Sequence, residues 1–147
     1  MRKSGHRLVA SLEVTIPLKI LDLGCGDGTT ALPMAKLGAD VTGIDIARNL
    51  VGAGNRRAEA AGLVNLKFVG GDACVLEGVE DNSFDPTITV FGAMFAPKPF
   101  DVAKELVRVT KPGGKIVMGI GSPETLRLCR RFRGLVQRSR HRRRKDL

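Results

Sequence analysis

Three glycines alternate within a short apolar-to-polar transition, Leu23-Gly24-Cys25-Gly26-Asp27-Gly28-Thr29. Glycine accepts positive φ and lets a ligand approach the backbone closely, so this spacing suits a turn that lies against a bound nucleotide-type group. Asp45 follows 17 positions after Gly28, at the end of Val41-Thr42-Gly43-Ile44. A strand-terminal carboxylate at about that distance is placed to accept hydrogen bonds from two ribose hydroxyls. Asp72 follows Leu66-Lys67-Phe68-Val69-Gly70-Gly71, where a carboxylate can reach the exocyclic amine of an adenine. The bland alternatives are a tight strand-to-helix turn and two solvated strand-end aspartates. Three such features in order on successive strand ends favour the ligand reading.

These residues need a scaffold that brings the strand ends to one rim. The apolar run Ile20-Leu21-Asp22-Leu23 predicts the first strand, with Pro17 punctuating its entry. Thr29–Leu37 predicts a helix with an apolar face, Pro33 in its first turn and Gly38 as its stop. Ala47–Ala61 predicts a second helix closed by Gly62. Gly52 and Gly54 inside it each cost about 1 kcal/mol relative to Ala, which marks a weak helix. Val75–Asn82 reads as a polar connection with at most one helical turn. Phe84–Phe91 reads as a fourth strand, in which Pro86 is expected at the first residue or on an edge. Asp101–Thr110 predicts an amphipathic helix, Lys111–Gly114 a turn, and Lys115–Ile120 a fifth strand. Alternating strands and helices predict an α/β fold: a three-layer, doubly wound, mainly parallel sheet with its motifs on one rim.

Taken together, LDLGCGDGT, VTGID, GDA, DNSFD, FGAMFAP and ELVRVTKPGGKIVM resemble the class I S-adenosylmethionine-dependent methyltransferases of the small-molecule type, from about Pro17 to Ile120. The resemblance implies a Rossmann-like core, S-adenosyl-L-methionine as cofactor, and in-line methyl transfer to a small organic acceptor. It implies that Asp22 supports the turn and the cofactor's amino group. Gly24, Cys25, Gly26 and Gly28 would pass close to its methionine and ribose portions. Asp45 would take the ribose hydroxyls, Ile46 pack on the adenine, and Asp72 and Ala73 meet the adenine edge. Phe91, with Gly92 to Phe95, would lie where the sulfonium meets the acceptor. No catalytic base is named, since aligning an activated methyl group and excluding water is most of the task.

Composition sets the remaining expectations. At 147 residues and 43% apolar content the chain fits one globular domain. No apolar run approaches the roughly 18 residues of a membrane span, and no leader pattern stands at Met1–Ile20, so a cytoplasmic protein is expected. Cys25, Cys74 and Cys129 lack metal-ligand spacing with His6 or His141, so neither a metal nor a disulfide framework is expected. The net charge of +9 is concentrated in residues 122–147, which carry ten basic against two acidic side chains. The chain therefore divides into a lead (1–16), a cofactor-binding core (17–121) and an Arg-rich tail (122–147). The resemblance also implies two further strands after the fifth, and the tail does not read as helix plus two strands. Three alternatives follow. The first is a truncated, catalytically silent remnant that binds cofactor weakly or not at all. The second is a nucleic-acid methyltransferase using the basic tail, which is disfavoured because interleaved aromatics are lacking. The third is a nicotinamide-dependent oxidoreductase, disfavoured because the turn is G-x-G-x-G rather than G-x-G-x-x-G. Oligomeric state is not encoded in any motif.

Overall fold

The computed structural model describes residues 18–119. They fold as β1 (Lys19–Leu23), α1 (Ala31–Lys36), β2 (Asp40–Asp45), α2 (Arg48–Ala60), β3 (Leu66–Gly70), β4 (Phe84–Val90), a single 3-10 turn (Ala93–Phe95), α3 (Pro99–Val109) and β5 (Thr110–Gly119). The strands form one parallel sheet in the order β3-β2-β1-β4-β5. The chain winds outward from β1 to β3, then returns across the sheet to β4. The winding direction therefore reverses between β1 and β4, which opens a crevice at the strands' C-terminal ends. This is the expected doubly wound α/β core. The Arg-rich tail, where the resemblance implies further strands, lies outside the described residues, as does the N-terminal lead.

Alternation along β1 feeds two cores. Ile20 points to the face covered by α1 and α2, where Leu32, Met34, Val41, Ala58, Leu66, Phe68 and Ile88 are buried. Leu21 and Leu23 point to the other face, with Ile44, Leu76, Phe84, Val102, Leu106 and Val109. Burial on both faces accounts for the nearly continuous apolar reading of the strand. The second face is covered only partly by a helix. The rest is closed by the 71–83 connection, which holds no helix and is fastened to α3 by two side chains. Glu105 Oε2 accepts from the Leu76 N–H (2.8 Å), and Arg108 donates to the carbonyls of Val79 (2.7 Å) and Leu76 (3.1 Å). The Arg108–Glu105 hydrogen bond holds the Glu105 carboxyl below its usual range and raises the guanidinium's.

Three local expectations are revised. The first helix begins at Ala31, because residues 24–30 are consumed by the glycine turn. Pro86 is neither first nor on an edge. It sits third in β4, a central strand, at a register shift where Phe84 faces Thr110 but Pro86 already faces Lys115. Pairing with β1 starts only at Thr87, and the Lys19 N–H is taken by the Asp85 carboxylate instead (2.8 Å). A proline with no N–H to donate is accommodated at such an irregularity. Lys111–Gly114 forms the bulged part of β5 itself, with Gly113 at φ +83°.

Gly54 also needs a different explanation from a weak helix. A Cβ there would lie 2.9 Å from Phe68 Cγ, so the missing side chain is what lets α2 sit against β3. Gly52 has no such constraint.

Candidate functional site

The site grows from the end of β1. Gly24, Gly26 and Gly28 all adopt positive φ (+71°, +56°, +91°). The turn they make is fixed to β2: the N–H groups of Gly24 and Cys25 donate to the Ile44 carbonyl (2.8 and 3.3 Å), and that of Gly26 donates to Asp45 Oδ2 (2.8 Å). Gly28 N–H closes the turn on the Cys25 carbonyl (3.0 Å). The three glycines meet different surroundings. A Cβ on Gly24 would meet the backbone of Gly92 at 2.5 Å, and one on Gly28 would meet the Phe68 ring at 2.4 Å. At Gly26 nothing lies within 4 Å. The turn is thus packed from below and beside, and open above its middle residue.

Asp22 lies beneath the turn and is 1% exposed. Its Oδ2 has no hydrogen-bond partner. Burial, with a smaller contribution from the nearby Asp45 carboxylate, raises its pKa to about 7. A fully buried oxygen without a donor is costly, so this group is poised to gain from a cationic or hydrogen-bond-donating ligand.

Asp45 is half-buried and already works for the backbone: Oδ2 holds Gly26 and Oδ1 holds the Ala47 N–H (2.8 Å), the entry to α2. Each oxygen keeps a second lone pair. Ile46, the next residue, is 73% exposed. It lines a cleft of about 480 Å³ together with Arg48, Val51, Gly70, Gly71 and Asp72. Asp72 is exposed and fixed by an Asx-type bond, Oδ1 accepting from Cys74 N–H (2.8 Å). Ala73 packs instead against the apolar core of the α3 face. Cys25 is buried, its Sγ filling the space over Gly43, and burial pushes its thiol up. Its side chain is packed inside the turn and against β2.

Beyond β4 the chain turns sharply. Phe91 holds φ +65°, unusual for a non-glycine residue, with its N–H on the Gly119 carbonyl (2.9 Å). Gly92 then touches Gly24, and Ala93 N–H caps on Thr89 Oγ1 (3.0 Å). Met94 and Phe95 stand exposed on the rim. The structure therefore brings Asp22, the glycine turn, Asp45 and the backbone around Phe91 together at the β1/β4 crevice. Ile46 and Asp72 share the neighbouring cleft.

Two contributors escaped the sequence. Arg57, in the last turn of α2, donates Nη1 to the Asp27 carbonyl (2.9 Å) and pairs with Asp27 Oδ2 (2.7 Å). Phe68 is the ring against which Gly28, Gly43 and Gly54 all close. The glycines were a signal for the second; nothing local signals the first, 30 positions away. Among the described residues no group of three or more His, Cys, Asp or Glu side chains is arranged to hold a metal, and no helix is long and apolar enough to cross a membrane.

Residues 21–118 match the family described as "Methyltransferase domain". The chain is 35% identical over 117 residues to a demethylmenaquinone methyltransferase of Paenarthrobacter aurescens, covering 80% of this chain and 44% of that protein. It is 36% identical over 118 residues to a sterol 4-C-methyltransferase of Caenorhabditis elegans, covering 79% and 35%. Among solved structures it superposes on the [4+2]-cyclase SpnF with a TM-score of 0.73 at 29% identity, covering 79% of this chain and 43% of that one. The chain thus spans less than half the length of these proteins.

Proposed function

The chain belongs to the methyltransferase-domain family, and on that footing we propose that it binds S-adenosyl-L-methionine and serves methyl transfer to a small, apolar organic acceptor by in-line displacement. The observation that carries the proposal is Asp22 Oδ2, buried and without a hydrogen-bond partner, beneath a glycine turn that is open above Gly26. That combination fits an amino-acid-bearing nucleoside: a cationic amino group for Asp22 and a flat passage over Gly26. When bound, the cofactor supplies a methyl group already activated on a sulfonium. The protein's residues then have to hold and shield. Asp22 takes the amino group, Asp45 the ribose hydroxyls through its free lone pairs, Ile46 the adenine face, and Asp72 the adenine amine. The Phe91–Phe95 stretch borders the place of methyl delivery and offers apolar surface that excludes water. No histidine lies within 18–119, and alignment rather than proton transfer is the main contribution assigned to the chain.

An apolar acceptor suits the relatives, whose names specify a menaquinone precursor and a sterol. The relationship to a cyclase supports a second reading, in which the same cofactor-binding fold serves another reaction. Titration calorimetry with S-adenosylhomocysteine, followed by an assay of labelled methyl incorporation into quinone and sterol acceptors, tests both. Binding with turnover supports methyl transfer. Binding without turnover on any acceptor favours the second reading, and no binding removes the cofactor assignment.

A further inference from the structure

We propose that Arg57 is a positioning residue for the cofactor, fixing the Gly26–Gly28 peptide from α2. The proposal rests on the cofactor reading above. A turn built on alternate glycines has several accessible backbone states, since glycine visits both signs of φ. The N–H groups of Gly26 and Gly28 are committed to Asp45 and to the Cys25 carbonyl. The carbonyl between them, that of Asp27, is held by the Arg57 guanidinium at 2.9 Å. The same Nη1 pairs with Asp27 Oδ2 at 2.7 Å, while Thr29 Oγ1 donates to Asp27 Oδ1 at 3.1 Å. One cation thus sets the orientation of the peptide and offsets the negative charge at the base of the turn. Without that offset, Asp27 would repel a ligand bearing its own carboxylate.

The placement of Arg57 follows from packing. Gly54 lies three residues earlier, on the same side of α2. Its lack of a Cβ lets the helix settle on Phe68, the ring that also supports Gly28. The depth of α2 and the position of the turn are therefore set by one side chain, and Arg57 bridges what remains. The Arg57 and Asp27 side chains are 40% and 46% exposed, so their pairing contributes little to the stability of the fold. That separates an effect on ligand affinity from an effect on folding.

The test compares the whole chain with R57Q, R57K and D27N, using S-adenosylhomocysteine as the probe, titration calorimetry for affinity, and amide exchange at Gly26 and Gly28 in the ligand-free protein. R57Q is expected to weaken binding about tenfold, the scale of one charge-assisted hydrogen bond. It should also speed exchange at both glycines and leave the ligand-free melting temperature nearly unchanged. R57K should recover most of the affinity, and R57Q combined with D27N should lose less than the sum of the two. R57Q with wild-type affinity and exchange overturns the proposal. So does a loss of affinity that matches a loss of melting temperature and is not restored by R57K. If the unaltered chain binds no S-adenosylhomocysteine, the cofactor reading fails by itself, and unchanged glycine exchange in R57Q would still refute the clamp.

Discussion

At the β1–β2 end of the rim, the backbone is aimed by named partners: Gly26 N–H on Asp45, Gly24 and Cys25 on the Ile44 carbonyl, Asp27 on Arg57. At the β4 end the chain turns through a strained Phe91 and then presents Met94 and Phe95 to the outside. The first region is complete within residues 18–72. It combines polar groups of fixed direction with a cleft, so its ligand can be deduced. The second offers apolar surface with no directional polar group beyond its own turn, which is why the proposal takes its acceptor to be apolar. The two regions touch where the backbones of Gly24 and Gly92 meet.

The sharpest way to break this contrast is Gly28→Ala. A Cβ there would come within 2.4 Å of Phe68, at a φ of +91° that favours glycine. Overpacking and strain together should remove about 4 kcal/mol of stability, read by urea denaturation. Phe68→Leu in the same chain should recover part of it. A Gly28→Ala protein as stable as its parent would mean that the β1 turn is no more tightly built than the β4 end.

The next effect belongs to Asp22. With a pKa raised from 3.8 to about 7 in the folded chain, this carboxyl is neutral in both states below about pH 4. Between these values the folded protein keeps a proton that the unfolded chain releases, so stability falls as pH rises and levels off above about 7. The cost at high pH is on the order of 4 kcal/mol. Asp22→Asn should abolish that slope in melting temperature, and it should also weaken S-adenosylhomocysteine binding. In the parent chain, affinity should rise with pH through the same window, because an amino group favours the ionised carboxylate. A melting temperature in the parent that does not change between about pH 5 and pH 8 would show that Asp22 is not held in this way.

Gly26→Ala separates ligand from fold within the first region. The φ of +56° costs an alanine about 1 kcal/mol, but its Cβ would enter open space. Stability should fall slightly while affinity for S-adenosylhomocysteine falls much more. Equal affinity would place the ligand away from the turn's opening.

These contrasts also explain what could be read in advance. The glycine turn, the strand-end positions of Asp45 and Asp72, and the alternation of strands and helices follow from residue types with narrow physical roles, placed at regular intervals. The helix start was displaced because Thr29 and Thr30 suit either a turn or a first helical residue. Gly54 was misjudged because its reason, the Phe68 ring, is in another strand. Pro86 was misplaced because a bulge in β5 is not visible from β4. Arg57 was missed because an exposed helix arginine has the same local sequence signature whether or not it reaches a turn. Close approach and long-range pairing are set by tertiary packing, and they leave only ambiguous marks in the local pattern.

The smallest structural effect should come from the β4 end, and there it is the most informative. Phe95 is 79% exposed, so Phe95→Ser should change stability by less than about 0.5 kcal/mol. It should also leave S-adenosylhomocysteine affinity unaltered, since the proposal assigns the amino, ribose and adenine groups to Asp22, Asp45, Ile46 and Asp72 and none of them to Phe95. If apolar surface here receives the acceptor, the variant should raise KM for a quinone or sterol acceptor and leave kcat nearly constant, the signature of lost uniform binding. If kcat fell with KM unchanged, the 91–95 turn would instead be shaping the place of methyl delivery, and the division of the rim into an aligning end and a receiving end would have to be redrawn.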